Sequence, residues 1–133
     1  EKHYLQYKNL INSNITEEFF NNFINNVLND NHIIMILEDE NEKIIGTGTI
    51  LIEEKLTYGG CKMGHIENIL INDNYRKNGY GEQIVNKLLQ LCNTKKCYRV
   101  DLNCSSELEN FYQKNGFEKK QMCMNVYFKE NFV

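Results

Sequence analysis

A chain of 133 residues, 41% hydrophobic and 25% charged, has the composition of a soluble globular protein and the length of one domain, residues 1–133, with a real core. A net charge of −3 argues against a general nucleic-acid binder, and no apolar run approaches the roughly 18 residues of a membrane span. Five cysteines, an odd number without a C-x-x-C pair, argue against a disulfide framework or a zinc site.

Cys92, Cys97 and Cys104 stand among apolar residues and read as buried thiols, which suits a reducing cytoplasm. His3, His32 and His65 form no metal-ligand spacing, so no metal is expected. No signal peptide is visible, and a start at Glu1 rather than Met leads us to expect a preceding element.

Residues 1 to 12 are weakly patterned and compatible with a helix. Thr16, followed by Glu17 and Glu18, reads as a capped helix start. Phe19, Phe20, Phe23, Ile24, Val27 and Leu28 then make an apolar helical face expected to pack in the core. His32 to Leu37 reads as a buried strand, and Glu38 to Glu42 as a solvated acidic hairpin. Lys43 to Glu53 is the next strand. Its glycines at 46 and 48 mark a bulge or a close approach by ligand or backbone. After a turn over 55–63, Gly64 to Asn72 returns as a third strand.

A basic glycine loop, Arg76-Lys77-Asn78-Gly79-Tyr80-Gly81, follows that strand and opens an amphipathic helix. Ile84, Val85, Leu88, Leu89 and Cys92 lie on one face of the helix. Cys97 to Cys104 alternates as a strand, with Tyr98, Val100, Leu102 and Cys104 on one side. Ser106 with Glu109 has the spacing of a capping box, Leu108, Phe111 and Tyr112 form the buried face of the helix, and Gly116 suits its end. Met122 to Phe128 reads as a final strand. This order predicts an α/β protein, a mixed sheet flanked by helices.

The strand–loop–helix corner is built for an anion. The first turn of a helix offers unpaired N–H groups and the positive end of its dipole, and glycine permits positive φ. A phosphate or pyrophosphate is the natural guest. The P-loop reading fails because no Lys-Ser/Thr follows the second glycine. The Rossmann reading half fits: Ile84 occupies the third glycine position, and no acidic residue ends a following strand.

Two motifs together carry a resemblance. Arg76 to Gly81 has the form R-x-x-G-x-G, and Phe111-Tyr112-x-Lys114-x-Gly116-Phe117 follows one strand later. The pair resembles the acetyl-CoA loop and the F-Y-x-K-x-G-F signature of the GNAT N-acetyltransferases. Within that family, Ile45 to Gly48, Gly64-His65-Ile66-Glu67-Asn68-Ile69 and Cys97-Tyr98-Arg99 are similar to the glucosamine-6-phosphate N-acetyltransferases. Asn68 replaces an Asp usual there, Leu108 replaces an Asn, and Tyr127 stands where an Arg for the sugar phosphate is common.

The resemblance implies a GNAT fold, acetyl-CoA bound at a splayed parallel strand pair, an amino-sugar phosphate substrate and a homodimer. The Ile69, Leu70 and Ile71 backbone would pair with the pantetheine arm. Arg76 and the amides of Lys77, Asn78, Gly79, Tyr80, Gly81 and Glu82 would hold the pyrophosphate. The Asn103 carbonyl would contact the amine. Tyr112 would bind the cofactor and stabilise the leaving thiolate. Glu67 would orient the amine or accept its proton, or be a plain strand-edge carboxylate. Lys55, Asn68, Tyr98 and Arg99 are the further sugar-phosphate candidates. Direct transfer is expected, without an acetyl-cysteine. Other readings are a GNAT acting on another amine or a protein N-terminus, a non-catalytic acyl-CoA-binding module, and a nucleotide-binding regulator.

Overall fold

The structure is a computed structural model that describes residues 2–128. Its contacts divide the chain after Leu102 into two units.

The first unit opens with α1 (Lys2–Ile11) and α2 (Glu17–Asn22), the latter capped as expected: the Thr16 hydroxyl accepts the Phe19 amide at 3.1 Å. One wide turn, Phe23–Val27, then ends the helical run. This breaks the 3.6-residue period assumed for the apolar face. No residue of α2 is buried, and Phe19, Ile24 and Val27 are exposed, so the expected core face does not form there.

Four strands follow: β1 (His32–Glu38), β2 (Ile44–Glu54), β3 (Lys62–Ile71) and β4 (Cys97–Leu102). They lie in the order β1-β2-β3-β4. β1, β2 and β3 are a meander of antiparallel neighbours, and β4 returns parallel to β3 after the helix α3 (Tyr80–Thr94). Parallel pairing needs such a crossover.

The apolar face of α3 is where the sequence pattern put it. Ile84, Val85, Leu88 and Cys92 are all buried, at about 1.5–3 kcal/mol for each fully buried aliphatic chain. The glycines of β2 and β3 make room for them. A Cβ at Gly48 would lie 2.7 Å from Ile84 and 3.0 Å from Leu88, and one at Gly64 would lie 2.8 Å from the Cys92 sulfur. The close approach at Gly46 and Gly48 is therefore mainly by side chains, those of α3 (Ile84, Leu88) and of β3 (Ile69, Ile71). Elsewhere in the core, the Thr47 hydroxyl donates to the Met35 carbonyl at 2.9 Å and lies 3.2 Å from the Tyr7 hydroxyl, which ties α1 to β2.

The second unit begins at Asn103. A 3-10 turn, Ser106–Leu108, leads into α4 (Glu109–Lys114), and Gly116 ends it at φ +97°. Neither Ser105 nor Leu108, the residues at the two helix starts, makes a side-chain cap. The 3-10 turn moves the α-helix start to Glu109, so the capping box does not form. Leu108 and Cys104 are exposed where burial was expected; Tyr112 is buried. The expected strand Met122 to Phe128 is absent among the described residues. A strand exists only where a neighbouring edge takes its hydrogen bonds, and no described strand pairs with this stretch.

Candidate active site

A bulge lies where β3 passes Gly48. Thr49 pairs with Glu67 and Thr47 with Leu70, so Asn68 and Ile69 together oppose one residue of β2. Asn68 adopts φ +55°, a left-handed conformation that asparagine tolerates better than most residues. On the other side of β3, pairing with β4 stops at Ile66 and Leu102. β4 ends there, and the remaining length of β3 runs on to Ile71 without pairing to it. Glu67 and Asn68 are exposed on this stretch; Ile69, Leu70 and Ile71 are half-buried.

From Ile71 the chain enters the loop under tight local control. The Asn72 amide donates to the Ile45 carbonyl at 2.8 Å, and the Asn72 side chain accepts the Asn74 amide at 2.9 Å. Asp73–Tyr75 forms one 3-10 turn. Arg76 reaches back to Asp73 at 3.0 Å. The Asn78 amide group donates to the Tyr75 and Arg76 carbonyls at 3.1 and 3.2 Å. Lys77 at φ +66° and Gly79 at φ +79° both sit in the left-handed region, and α3 starts at Tyr80. No atom lies within 4 Å of a Cβ built on Gly79, so glycine serves the backbone angle there.

The first helical amides, Tyr80, Gly81 and Glu82, have no intrahelical acceptor, the arrangement in which a helix start offers donors to an anion. Arg76, Lys77 and Asn78 are exposed around it. Arg76 is held by Asp73, so its charge is shared rather than fully available.

The sugar-phosphate candidates lie elsewhere. Lys55 follows β2 and stands 3.8 Å from Glu53, whose other oxygen is 3.0 Å from His65. The His65 hydrogen bond and then the Lys55 charge hold the Glu53 carboxyl below its ordinary value. Arg99 is clamped by both oxygens of Asp101, at 2.9 and 3.2 Å. Tyr98 stacks on Tyr58 at 5.3 Å between ring centres. Arg99 is level with Met63, near the start of β3. At about 3.3 Å per residue, that is roughly 13 Å before Glu67 along the strand. Tyr98 and Arg99 thus stand with Tyr58 near the start of β3, away from Glu67, and Lys55 stands with Glu53 and His65. Tyr58 was missed; the only signal was an aromatic residue placed just before Gly59-Gly60.

In the second unit, Tyr112 is wedged edge-on between Phe111 at 4.9 Å and Phe117 at 5.7 Å. Burial, and then the Cys104 thiol, push its hydroxyl above the ordinary phenol value. It stays protonated at neutral pH. Asn103 is exposed. No group of three or more His, Cys, Asp or Glu that could hold a metal is found among the described residues, and no described helix is long and apolar enough to cross a membrane.

Against known proteins, residues 4–117 match the acetyltransferase (GNAT) family. A probable glucosamine 6-phosphate N-acetyltransferase 2 of Oryza sativa subsp. japonica is 36% identical over 104 residues, which is 76% of this chain and 63% of the rice protein. The chain thus spans less than two thirds of that relative. The glucosamine 6-phosphate N-acetyltransferase of Arabidopsis thaliana is 33% identical over 121 residues, 89% of this chain and 81% of that protein. The crystal structure of the glucosamine-6-phosphate N-acetyltransferase from Arabidopsis thaliana superposes with a TM-score of 0.87 at 31% identity, covering 96% of this chain and 90% of that one. A Trypanosoma brucei acetyltransferase shares the fold, with a TM-score of 0.87 at 23% identity over 93% of this chain and 92% of that one.

Proposed function

This chain belongs to the GNAT acetyltransferase family and has its fold, and from that premise we propose that it is an acetyl-CoA-dependent N-acetyltransferase acting on the amine of glucosamine 6-phosphate. The observation that carries the acetyl-CoA half is the continuous run from the bulged end of β3, unpaired on the β4 side, into the left-handed loop and the first turn of α3. The sugar phosphate rests on the relatives named for it. The family match crosses both units, which supports reading the chain as a single domain.

Acetyl-CoA supplies the activated acetyl group, and the donor set fits it. The amides of Lys77 to Glu82 and the charges of Arg76 and Lys77 suit a pyrophosphate. Strand backbone at Ile69, Leu70 and Ile71, unpaired on the β4 side, suits an amide-rich arm and directs an N–H toward the oxygen where negative charge develops. Glu67 orients the amine or accepts its proton, the Asn103 carbonyl contacts the amine, and Asn68 lines the substrate side. Tyr112 stabilises the departing sulfur through its hydroxyl or protonates it; the raised pKa keeps that hydroxyl protonated and able to donate a hydrogen bond to the thiolate. Burial pushes the Cys92 thiol up to about 12, which unfits it as a nucleophile. Transfer is by direct attack of the amine, without an acetyl-cysteine.

Lys55, Tyr98 and Arg99 take the phosphate end of the sugar in this reading. The chain works as a homodimer in the cytoplasm, with Met122 to Phe128 as the interface. Met122, Met124, Val126 and Phe128 are all exposed, which suits a stretch that pairs with a second copy.

One observation favours a second reading, a GNAT acting on an unphosphorylated amine. Arg99 already spends its guanidinium on Asp101, and Tyr127 is not a bidentate phosphate partner. The test is thiol release from acetyl-CoA with glucosamine 6-phosphate against glucosamine. A large preference for the phosphorylated sugar is expected; equal turnover would move the assignment to the second reading.

A further inference from the structure

The β1–β2 hairpin reads from sequence as a solvated acidic turn, yet it touches the loop at one point. The Tyr75 hydroxyl donates to one oxygen of Asp39 at 3.3 Å, across 36 residues of sequence. The other Asp39 oxygen accepts the amides of Asn41 at 2.8 Å and Lys43 at 2.9 Å, and the Asp39 amide donates to the Lys43 carbonyl at 2.9 Å. The Lys43 ammonium lies 5.6 Å from the centre of the Tyr75 ring. Asp39 is thus fixed by its own hairpin, and Tyr75 is held both by its hydroxyl and by its ring.

Tyr75 is also the last residue before the loop. Its carbonyl accepts the Asn78 side chain, and its own amide is tied to the Asn72 carbonyl at 2.8 Å. Two residues on, Lys77 is in a left-handed conformation that carries a steric cost for a side chain with a Cβ. Such a conformation persists only where the surroundings determine it. The attachments around it are Asn78 to Tyr75 and Arg76, Arg76 to Asp73, and Tyr75 to Asp39.

We propose that Tyr75 is a positioning residue for acyl-CoA binding: pinned by Asp39 and Lys43 of the β1–β2 hairpin, it fixes the entry of the loop so that the amides of Lys77 to Glu82 converge on the pyrophosphate. The proposal rests on the reading of that loop as the CoA site. It assigns a role to a hairpin remote in sequence from the loop.

Two full-chain variants test it. Tyr75→Phe removes one hydroxyl and keeps the ring under Lys43. Asp39→Asn keeps an oxygen for the Asn41 and Lys43 amides and removes the negative charge. Deleting a negative charge near a polyanion site strengthens anion binding if charge alone matters. The clamp requires the opposite sign. CoA affinity is measured by titration calorimetry, and amide hydrogen exchange of residues 76–82 by NMR in the free protein.

Each variant is expected to weaken CoA binding about 5-fold and to speed loop exchange by a similar factor, and the double variant is expected to be no weaker than either single one. Unchanged or tighter CoA binding with unchanged exchange would overturn the proposal, as would multiplicative losses in the double variant. If the parent chain itself fails to bind CoA, the reading of the loop falls, and the exchange comparison decides the clamp on its own.

Discussion

Replacing Gly48 by alanine probes the joint between sheet, helix and bulge in one step. The new methyl would lie 2.7 Å from Ile84, 2.8 Å from Ile69 and 3.0 Å from Leu88. None of these distances is tolerable, and Ile84 and Leu88 are 2% and 0% exposed, so neither has empty space to move into. Overpacking of this kind costs about 1–3 kcal/mol. Alanine returns roughly 0.5 kcal/mol by stiffening the unfolded chain. The net is a loss of about 1.5 kcal/mol, or roughly 6 °C in Tm for a chain between the small and large size classes. Because Ile69 belongs to the segment assigned to the pantetheine arm, the KM for acetyl-CoA should rise as well. Thermal melting by circular dichroism and initial-rate kinetics measure both. An unchanged or higher Tm would refute the claim that α3 sits down on the sheet through this glycine.

The remaining outcomes concern chemistry and assembly. Tyr112→Phe should lower kcat about 100-fold with little change in either KM, as loss of a proton donor does. Since the folded pKa of Tyr112 is raised, the folded chain holds that proton more tightly than the unfolded chain; the associated stability is full below about pH 10 and is lost as pH rises past it, which alkaline unfolding curves would show. Cys104→Ser should spare activity, because transfer is direct; loss of turnover in a folded variant would point to an acyl-cysteine. Changing Met124 and Val126 together to lysine should convert a dimer to monomers in sedimentation; a parent chain that is already monomeric would remove Met122 to Phe128 as an interface.

The legible and illegible parts of this chain separate by sequence distance. The α3 face could be read because Ile84, Val85, Leu88 and Cys92 repeat at helical spacing within one element. The loop could be read because its glycine and basic residues are contiguous. The Asn68 bulge was hidden: one residue in the left-handed region leaves a strand sequence looking like any other. The Arg99–Asp101 pair was half legible: strand alternation puts both on one face, but says nothing of the ion pair that takes up the Arg99 guanidinium. The contact of Asp39 with Tyr75 spans two hairpin turns and has no periodic signature. The expected last strand failed for a different reason. Alternation of apolar residues describes a side-chain pattern, whereas a strand also needs a partner edge, and sequence does not supply one.

The most direct measurement follows acetyl transfer itself, by proton NMR of a mixture of the chain, acetyl-CoA and glucosamine 6-phosphate. The expected result is an N-acetyl signal on the sugar that grows in step with free CoA thiol, one for one, and that disappears when either substrate is omitted. Thiol released without an acetylated amine, or neither product from a folded chain, would contradict the assignment of this site to N-acetyl transfer.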